Sequence, residues 1–145
     1  EDMAEPYMDH LKEEKIELDI ISPNKNVKVF GEDASIHRIF LNLLVNAFDS
    51  FKNKPKDSVK KIRINVIEKE NNMVDVKFYD TGCGIAEDKL DKIFNIFFST
   101  KGSEGTGLGL AVVKKIIDEH KGSITVESVY GKWTEFTVTL PIYSA

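Results

Sequence analysis

Four segments of the chain alternate apolar and polar residues, and they come in two pairs separated by short turns. The segments are 61–68 with 73–79, and 123–129 with 134–140. Alternation over this length is typical of a strand that buries one face. The first turn contains Asn71-Asn72 and the second contains Gly131, residue types that favour tight turns. The sequence therefore predicts two β-hairpins and excludes an all-helical fold.

Two longer segments place apolar residues at helical spacing instead. The first is predicted to be capped by Asp33 and to reach Lys52, and the second to end near His120 at Lys121-Gly122. The predicted buried positions are Ile36, Ile39, Phe40, Leu43, Leu44 and Ala47 in the first, and Leu110, Val113, Ile116 and Ile117 in the second. Weaker patterns predict helices at 3–15 and 87–93 and strands at 16–20 and 27–30. We expect an α+β fold, a two-layer α/β sandwich in which helices cover one face of a mixed sheet.

Length and charge limit the class of protein. The 145 residues fit a single domain, 1–145, with one continuous core. A net charge of −4 argues against nucleic-acid binding, which needs a basic face, and no apolar run predicts direct membrane contact. The single cysteine, Cys83, cannot form an internal disulfide, which fits a reducing cytosol. Because the chain starts at Glu1 rather than Met, we expect a fragment of a longer protein.

Four of the chain's nine glycines fall in residues 102–109, directly before the second long helix. Glycines let the backbone approach a ligand closely, and the free N–H groups of a first helical turn attract anions. This arrangement favours a phosphate-binding loop, although the glycines alone fit a flexible connector equally well. Ahead of them, Phe94, Phe97 and Phe98 are expected both to pack in the core and to anchor a movable loop.

Three polar residues share one side of the first long helix. Asn42, Asn46 and Asp49 are spaced at one and nearly two turns, so they form a stripe. Amide and carboxylate oxygens on a rigid face suit Mg²⁺, which takes few protein ligands and keeps water and phosphate oxygens. A solvated helix face is the alternative, but asparagines are poor helix formers and their presence needs a reason.

Asp80 ends a predicted strand and continues the parity of Val76 and Phe78, so its side chain is predicted to point toward the core. A buried carboxylate needs a hydrogen-bond donor. The exocyclic amine of a purine would serve, and Gly82 and Gly84 leave room for a flat ring. An ordinary Asp-Gly turn is the alternative. The sequence contains no P-loop, no dinucleotide-binding glycine pattern and no zinc-ligand spacing.

Taken in order, four motifs resemble the asparagine, first glycine, phenylalanine and second glycine boxes of the ATP-binding domain of bacterial sensor histidine kinases. They are Asn42-x-x-x-Asn46-Ala47, Asp80-Thr81-Gly82-x-Gly84-Ile85, Phe94-x-x-Phe97-Phe98-Ser99-Thr100-Lys101 and Gly105-Thr106-Gly107-Leu108-Gly109-Leu110. The resemblance covers about residues 15–142. Each box alone is weak, but four in this order are highly specific. The resemblance implies the Bergerat ATP-binding fold of the GHKL proteins.

The resemblance also implies roles for individual residues. Asn46 would bind Mg²⁺ that bridges the ATP phosphates, and Asp80 would accept a hydrogen bond from the adenine amine, helped by Thr134 through water. The base pocket would be lined by Gly82, Gly84 and Ile85. An ATP lid at about 99–109 would contact the phosphates through Lys101, Thr106, Gly107, Leu108 and Gly109. Asp49 is included among the nucleotide-binding residues, although some histidine kinases have a lysine at this position. A second departure from the family pattern is Trp133, which stands where a glycine is common.

Asn42 distinguishes the subfamilies that resemble this helix. Relatives that hydrolyse ATP have a glutamate there, which polarises the attacking water, whereas an amide is not a general base. Asn42 and Asn46 are therefore expected to serve phosphoryl transfer to a histidine, whose neutral imidazole needs no deprotonation. The alternatives are a GHKL-type ATPase or anti-sigma-like serine kinase, and a non-catalytic nucleotide-sensing module.

None of the three histidines, His10, His37 and His120, has the surroundings of the family's phosphoacceptor. The resemblance therefore implies an acceptor histidine outside this fragment, on the dimerisation domain of the same kinase, and the receiver domain of a response regulator as second partner. We expect the isolated domain to be monomeric and the parent protein to be a homodimer. We expect the domain to lie in the cytoplasm, with a parent protein that can be membrane-anchored. A helical start is expected at about 1–14.

Overall fold

The computed structural model describes residues 15–21, 33–52, 54–55, 58–94 and 109–141. The strands in these ranges are β1 (Glu17–Ile21), β2 (Lys61–Lys69), β3 (Met73–Asp80), β4 (Ser123–Val129) and β5 (Trp133–Pro141). The helices are α1 (Asp33–Asp49) and α2 (Gly109–Glu119), and a 3₁₀ turn spans Glu87–Lys89. Neither described α-helix combines the length and the apolar composition that crossing a membrane requires. Both predicted hairpins and both predicted long helices are confirmed.

The described strands form one sheet in the order β1-β2-β3-β5-β4. β1 pairs with β2 in parallel and the other neighbouring pairs are antiparallel, so the sheet is mixed, as predicted. The hairpin turns use residues that tolerate a left-handed backbone: Asn71 and Asn72 have φ angles of 64° and 60°, and Gly131 has one of 83°. The pairing of β3 with β5 brings Asp80 opposite Thr134.

Both helices pack on one face of the sheet, which confirms the two-layer α+β sandwich. Because successive side chains of a strand point to opposite faces, each strand contributes alternate apolar residues to this face. The core includes Ile39, Leu43, Ile64, Val74, Val76, Phe78, Val113, Ile117, Ile124, Phe136, Val138 and Leu140. Burying a side chain of this size stabilises the fold by about 1.5–3 kcal/mol. Phe40 is only half-buried, yet its ring lies 5.3 Å from that of Phe78.

Some predicted boundaries differ from the structure. α1 ends at Asp49 rather than Lys52, because the following amides close tighter turns: Lys52 N donates to Asp49 O at 3.2 Å. The helix predicted at 87–93 is reduced to the 3₁₀ turn and the hydrogen-bonded turns that follow it. The predicted helix before residue 15, the strand at 27–30 and the segment 95–108 lie outside the described residues.

At the end of α2, the left-handed backbone and the close approach to the sheet, both expected of a terminal glycine, belong to two different residues. Lys121 takes the left-handed backbone conformation, with a φ of 61°. Gly122 N donates to Ile117 O at 2.9 Å, and a Cβ atom on Gly122 would overlap the carbonyl oxygen of Thr139 in β5. The glycine is therefore required by the close approach of α2's end to the sheet, and the stop predicted at Lys121-Gly122 is confirmed.

Candidate functional site

Asp80 is the last residue of β3 and points to the face of the sheet that the helices cover. Its side chain is buried, with 5% of its surface exposed, which confirms the orientation predicted from strand parity. Asp75 lies in the same strand but on the opposite face, where its carboxylate accepts a hydrogen bond from Thr139 Oγ1 at 2.6 Å. Asp80 is therefore the carboxylate of β3 that faces the helical layer.

Two donors converge on the same oxygen of the Asp80 carboxylate. Gly82 N donates to Oδ1 at 2.9 Å, and Ser50 Oγ lies 3.0 Å from Oδ1. Oδ2 is the oxygen that these bonds leave for a ligand. Burial raises the pKa of Asp80 to about 6, and the hydrogen bonds from Gly82 and Ser50 oppose that rise. At neutral pH the group is mostly ionised and is an acceptor for an amine or amide N–H.

Ser50, which the sequence analysis did not single out, fills the space beside Gly82. A Cβ atom on Gly82 would overlap Ser50 Oγ and would lie 2.5 Å from Ser50 Cβ. Glycine is needed at this position because a side chain from the end of α1 occupies the space. The sequence signal was slight: Ser50 directly follows the stripe of polar residues that ends at Asp49.

The loop after β3 is attached by its backbone to two neighbours. Cys83 N donates to Ser50 O at 2.9 Å, and Cys83 O accepts from Gly131 N at 2.6 Å. Gly84 has a φ of 71°, and a Cβ atom there would lie 2.9 Å from Tyr130 Cα. The loop is thus fixed between the end of α1 and the turn that joins β4 to β5. The predicted pocket residues Gly82, Gly84 and Ile85 all belong to it.

Thr134 is buried opposite Asp80 and joins a second set of hydrogen bonds. Ser128 Oγ accepts from Ile85 N at 2.7 Å and donates to Trp133 O at 2.7 Å. Since its one proton is used, Ser128 can only accept from Thr134 Oγ1, which lies 3.1 Å away. The lone pairs of Thr134 Oγ1 are then oriented to accept from a water or ligand. Ser128 was not predicted from the sequence.

Trp133 does not enter this site, although it departs from the usual family residue. Its side chain projects to the sheet face opposite Thr134, because neighbouring residues of a strand alternate. There its ring lies 6.1 Å from that of Tyr79. Only its backbone carbonyl contributes, through the bond from Ser128.

The polar stripe of α1 lies beside the start of α2. Asn42 Nδ2 donates to Gly109 O at a long 3.5 Å, and Asn46 is half-buried one turn further along α1. Asn46 O accepts from Ser50 N at 3.0 Å, so the stripe and the Asp80 site share one end of α1. The half-buried Asp49 carboxylate lies 3.5 Å from Lys52 Nζ. Amide oxygens of this kind fit Mg²⁺, a hard cation that keeps most of its water and phosphate ligands.

The structure places Asn42 beside Gly109 at the start of α2, and it places Asn46 and Asp49 at the end of α1 next to Ser50, which contacts Asp80. Four predicted phosphate contacts, Lys101, Thr106, Gly107 and Leu108, lie outside the described residues, as does most of the predicted lid at 99–109. Phe94 packs edge-on against Phe136 at 6.3 Å, as core packing predicts, while Phe97 and Phe98 are not described. Within the described ranges, no three His, Cys, Asp or Glu side chains cluster as a metal site.

Comparison with known proteins agrees with this arrangement. Residues 31–144 match the family of histidine kinase-, DNA gyrase B- and HSP90-like ATPases. Sporulation kinase E of Bacillus subtilis is 35% identical over 133 residues, which are 92% of this chain and 17% of that protein. The solved catalytic domain of histidine kinase ThkA superposes with a TM-score of 0.83 at 28% identity, over 97% of this chain and 89% of that one.

A second structure contains a partner. Histidine kinase ThkA in complex with the response regulator protein TrrA superposes with a TM-score of 0.77 at 25% identity, over 98% of this chain and 39% of that one. The fold and the family match therefore define a domain of the GHKL ATPase class. The chain belongs to the histidine kinase-, DNA gyrase B- and HSP90-like ATPase family, and the proteins similar to it include sensor histidine kinases. The resemblance stated from the four motifs is confirmed.

Proposed function

We propose that this chain binds Mg²⁺-ATP and transfers the γ-phosphoryl group to a histidine on the dimerisation domain of the same kinase. The observation that carries the proposal is Asp80: a buried carboxylate whose Oδ1 accepts from Gly82 N and lies within hydrogen-bond distance of Ser50 Oγ, so that Oδ2 can accept from the adenine amine. The family is one of ATPases, which makes ATP the nucleotide of choice.

The proposed roles follow the two ends of the nucleotide. Asp80 accepts from the adenine amine, Thr134 accepts from a water beside the base, and the loop with Gly82, Gly84 and Ile85 lines the pocket. Asn46, with Asp49 nearby, would hold Mg²⁺, which when bound neutralises phosphate charge. The lid, with Lys101, Thr106, Gly107, Leu108 and Gly109, is proposed to enclose the phosphates.

The reaction needs little chemistry from the domain itself. A neutral imidazole nitrogen forms a bond to the γ-phosphorus while the bond to the β–γ bridging oxygen breaks, and ADP leaves. Asn42 stands at a position where a carboxylate would activate water, and an amide cannot take that proton. Positioning of the nucleotide therefore favours transfer to a histidine over hydrolysis.

The proposal extends to partners and location. A response regulator receiver domain would take the phosphoryl group from the histidine. The complex of the similar kinase ThkA with response regulator protein TrrA supports this part of the proposal. We propose that the domain, 1–145, acts in the cytoplasm, where ATP is available, as a monomeric unit of a longer homodimeric kinase that can be membrane-anchored.

The test is transfer of label from [γ-³²P]ATP, with Mg²⁺, to the isolated dimerisation domain of the parent kinase. We expect acid-labile, base-stable label on that domain. Acid-stable label would indicate a serine kinase, free phosphate alone an ATPase, and binding without turnover a sensing module. Asp80→Asn should abolish labelling, whereas Asp75→Asn, a matched change on the other face of β3, should leave it unchanged.

A further inference from the structure

The Ser50 hydroxyl has two acceptors within hydrogen-bond distance, and one of them belongs to the proposed base pocket. Its hydroxyl oxygen lies 2.6 Å from Ala47 O and 3.0 Å from Asp80 Oδ1. The hydroxyl carries one proton, so it donates to one of these oxygens at a time. The Ala47 carbonyl is part of α1, whereas the Asp80 carboxylate belongs to the pocket.

We propose that Ser50 is a positioning residue that selects which oxygen of Asp80 is offered to the purine amine, and so contributes to adenine specificity. The inference rests on the proposed binding of ATP and deepens it. Ser50 acts through Asp80 and makes no contact with the base.

The orientation of the Asp80 carboxylate has to be fixed by hydrogen bonds, because the torsion between its Cβ and Cγ atoms is broad and rotation about it exchanges the two oxygens. Gly82 N alone supplies one donor to Oδ1. When the Ser50 hydroxyl directs its proton to Oδ1 rather than to the Ala47 carbonyl, a choice that the negative charge of the carboxylate favours, rotation would break two hydrogen bonds at once. The carboxylate is thereby held with Oδ2 available as the acceptor.

Ser50 is itself fixed by its surroundings. Its carbonyl oxygen accepts from Cys83 N at 2.9 Å, and its amide donates to Asn46 O at 3.0 Å. The missing side chain of Gly82 provides the space that the hydroxymethyl group enters. The serine therefore reaches the carboxylate without strain from a neighbouring side chain.

The experiment compares the affinity for ATP with that for purine riboside triphosphate, which has hydrogen in place of the 6-amino group. Wild-type protein should prefer ATP by about tenfold or more, since a hydrogen bond to a charged group is at stake. Ser50→Ala should reduce this preference by about threefold or more, and Ser50→Thr, which keeps the hydroxyl, should retain it. Because the preference is a ratio, it does not depend on the fraction of folded protein.

The outcomes separate the two ideas. If wild-type protein binds both nucleotides equally, the adenine role of Asp80 fails and the proposed function is in question. If wild-type protein discriminates and Ser50→Ala discriminates equally, the positioning role is wrong, even where both affinities fall together. Should the alanine variant be unstable, Ser50→Cys keeps the volume with a weak donor and should show the same reduced preference.

Discussion

The Cα atom of Tyr130 lies 2.9 Å from the point where a Cβ atom on Gly84 would be. The backbone of the β4–β5 turn thus rests directly on the loop that follows Asp80. Gly84 also has a φ of 71°, which L side chains rarely adopt. Glycine is required here twice, by conformation and by contact.

Three glycine-to-alanine variants should separate these effects. Gly84→Ala should cost the most stability, because backbone overlap adds to the roughly 1–2 kcal/mol of left-handed strain. Gly131→Ala should lose only the part due to left-handed backbone strain, because residue 131 has a φ of 83° but no atom lies within 4 Å of the added Cβ. Gly109→Ala, with open space at the start of α2, should be neutral or stabilise by up to about 1 kcal/mol. Urea unfolding without nucleotide measures the order, and equal losses for the variants at 84 and 131 would exclude the contact effect.

The raised pKa of Asp80 predicts how stability depends on pH. The native carboxyl has a pKa of about 6 against an ordinary value of 3.8, so the folded state binds more protons between these values. The free energy of unfolding should therefore fall as pH rises from about 4 to 6, by roughly 3 kcal/mol at most, and stay level above that range. Asp80→Asn should lack this component. A difference between wild type and variant that is flat, or that rises with pH, would contradict the assignment.

Asn46→Ala should remove the dependence of ATP affinity on Mg²⁺. The amide oxygen is the proposed ligand from α1, and its loss removes the direct link between the metal and the protein, with Asp49 only nearby. Calorimetric titration with ATP, with Mg²⁺ or with EDTA, measures the effect. Asn65→Ala, on the sheet face away from the helices, is the matched control and should retain the full Mg²⁺ effect. The metal assignment does not survive if both variants respond alike.

Asn42→Glu should raise the rate at which the domain hydrolyses ATP. A carboxylate at this position can take a proton from water, which an amide cannot, and the release of free phosphate should rise by about tenfold or more. Asn42→Gln keeps the amide and should leave the rate unchanged. Steady-state phosphate release without any acceptor domain is the measurement. Equal rates for the two variants would mean that residue 42 does not face the attacking water.

The parts of the fold with strong periodicity were predictable. α1, α2 and the two hairpins follow from apolar spacing and turn residues, since each pattern extends over seven residues or more. The helix predicted at 87–93 was wrong in length because only a few positions supported it, and the chain there forms a 3₁₀ turn followed by hydrogen-bonded turns. Short patterns are decided by tertiary contacts, which a sequence does not display.

A site residue was predictable only where the local sequence pattern around it indicates its burial or its unusual position. The burial of Asp80 was predictable from strand parity. Asn42 and Asn46 were singled out because asparagine is uncommon inside helices, and their roles stay predictions. Ser50 and Ser128 were missed because their roles depend on partners far along the chain, 30 and 43 residues away. Such contacts depend on how α1 and the β4–β5 hairpin meet the loop after β3.

That loop is held through main-chain atoms at Cys83, whose amide and carbonyl make the two bonds to Ser50 and Gly131. The thiol of this residue lies 3.5 Å from Gly84 O in the same loop, and it belongs to the single cysteine of the chain. A fluorophore attached there would sit beside the proposed base pocket without a competing attachment site elsewhere. The domain thus carries a natural position for an optical reporter of nucleotide occupancy.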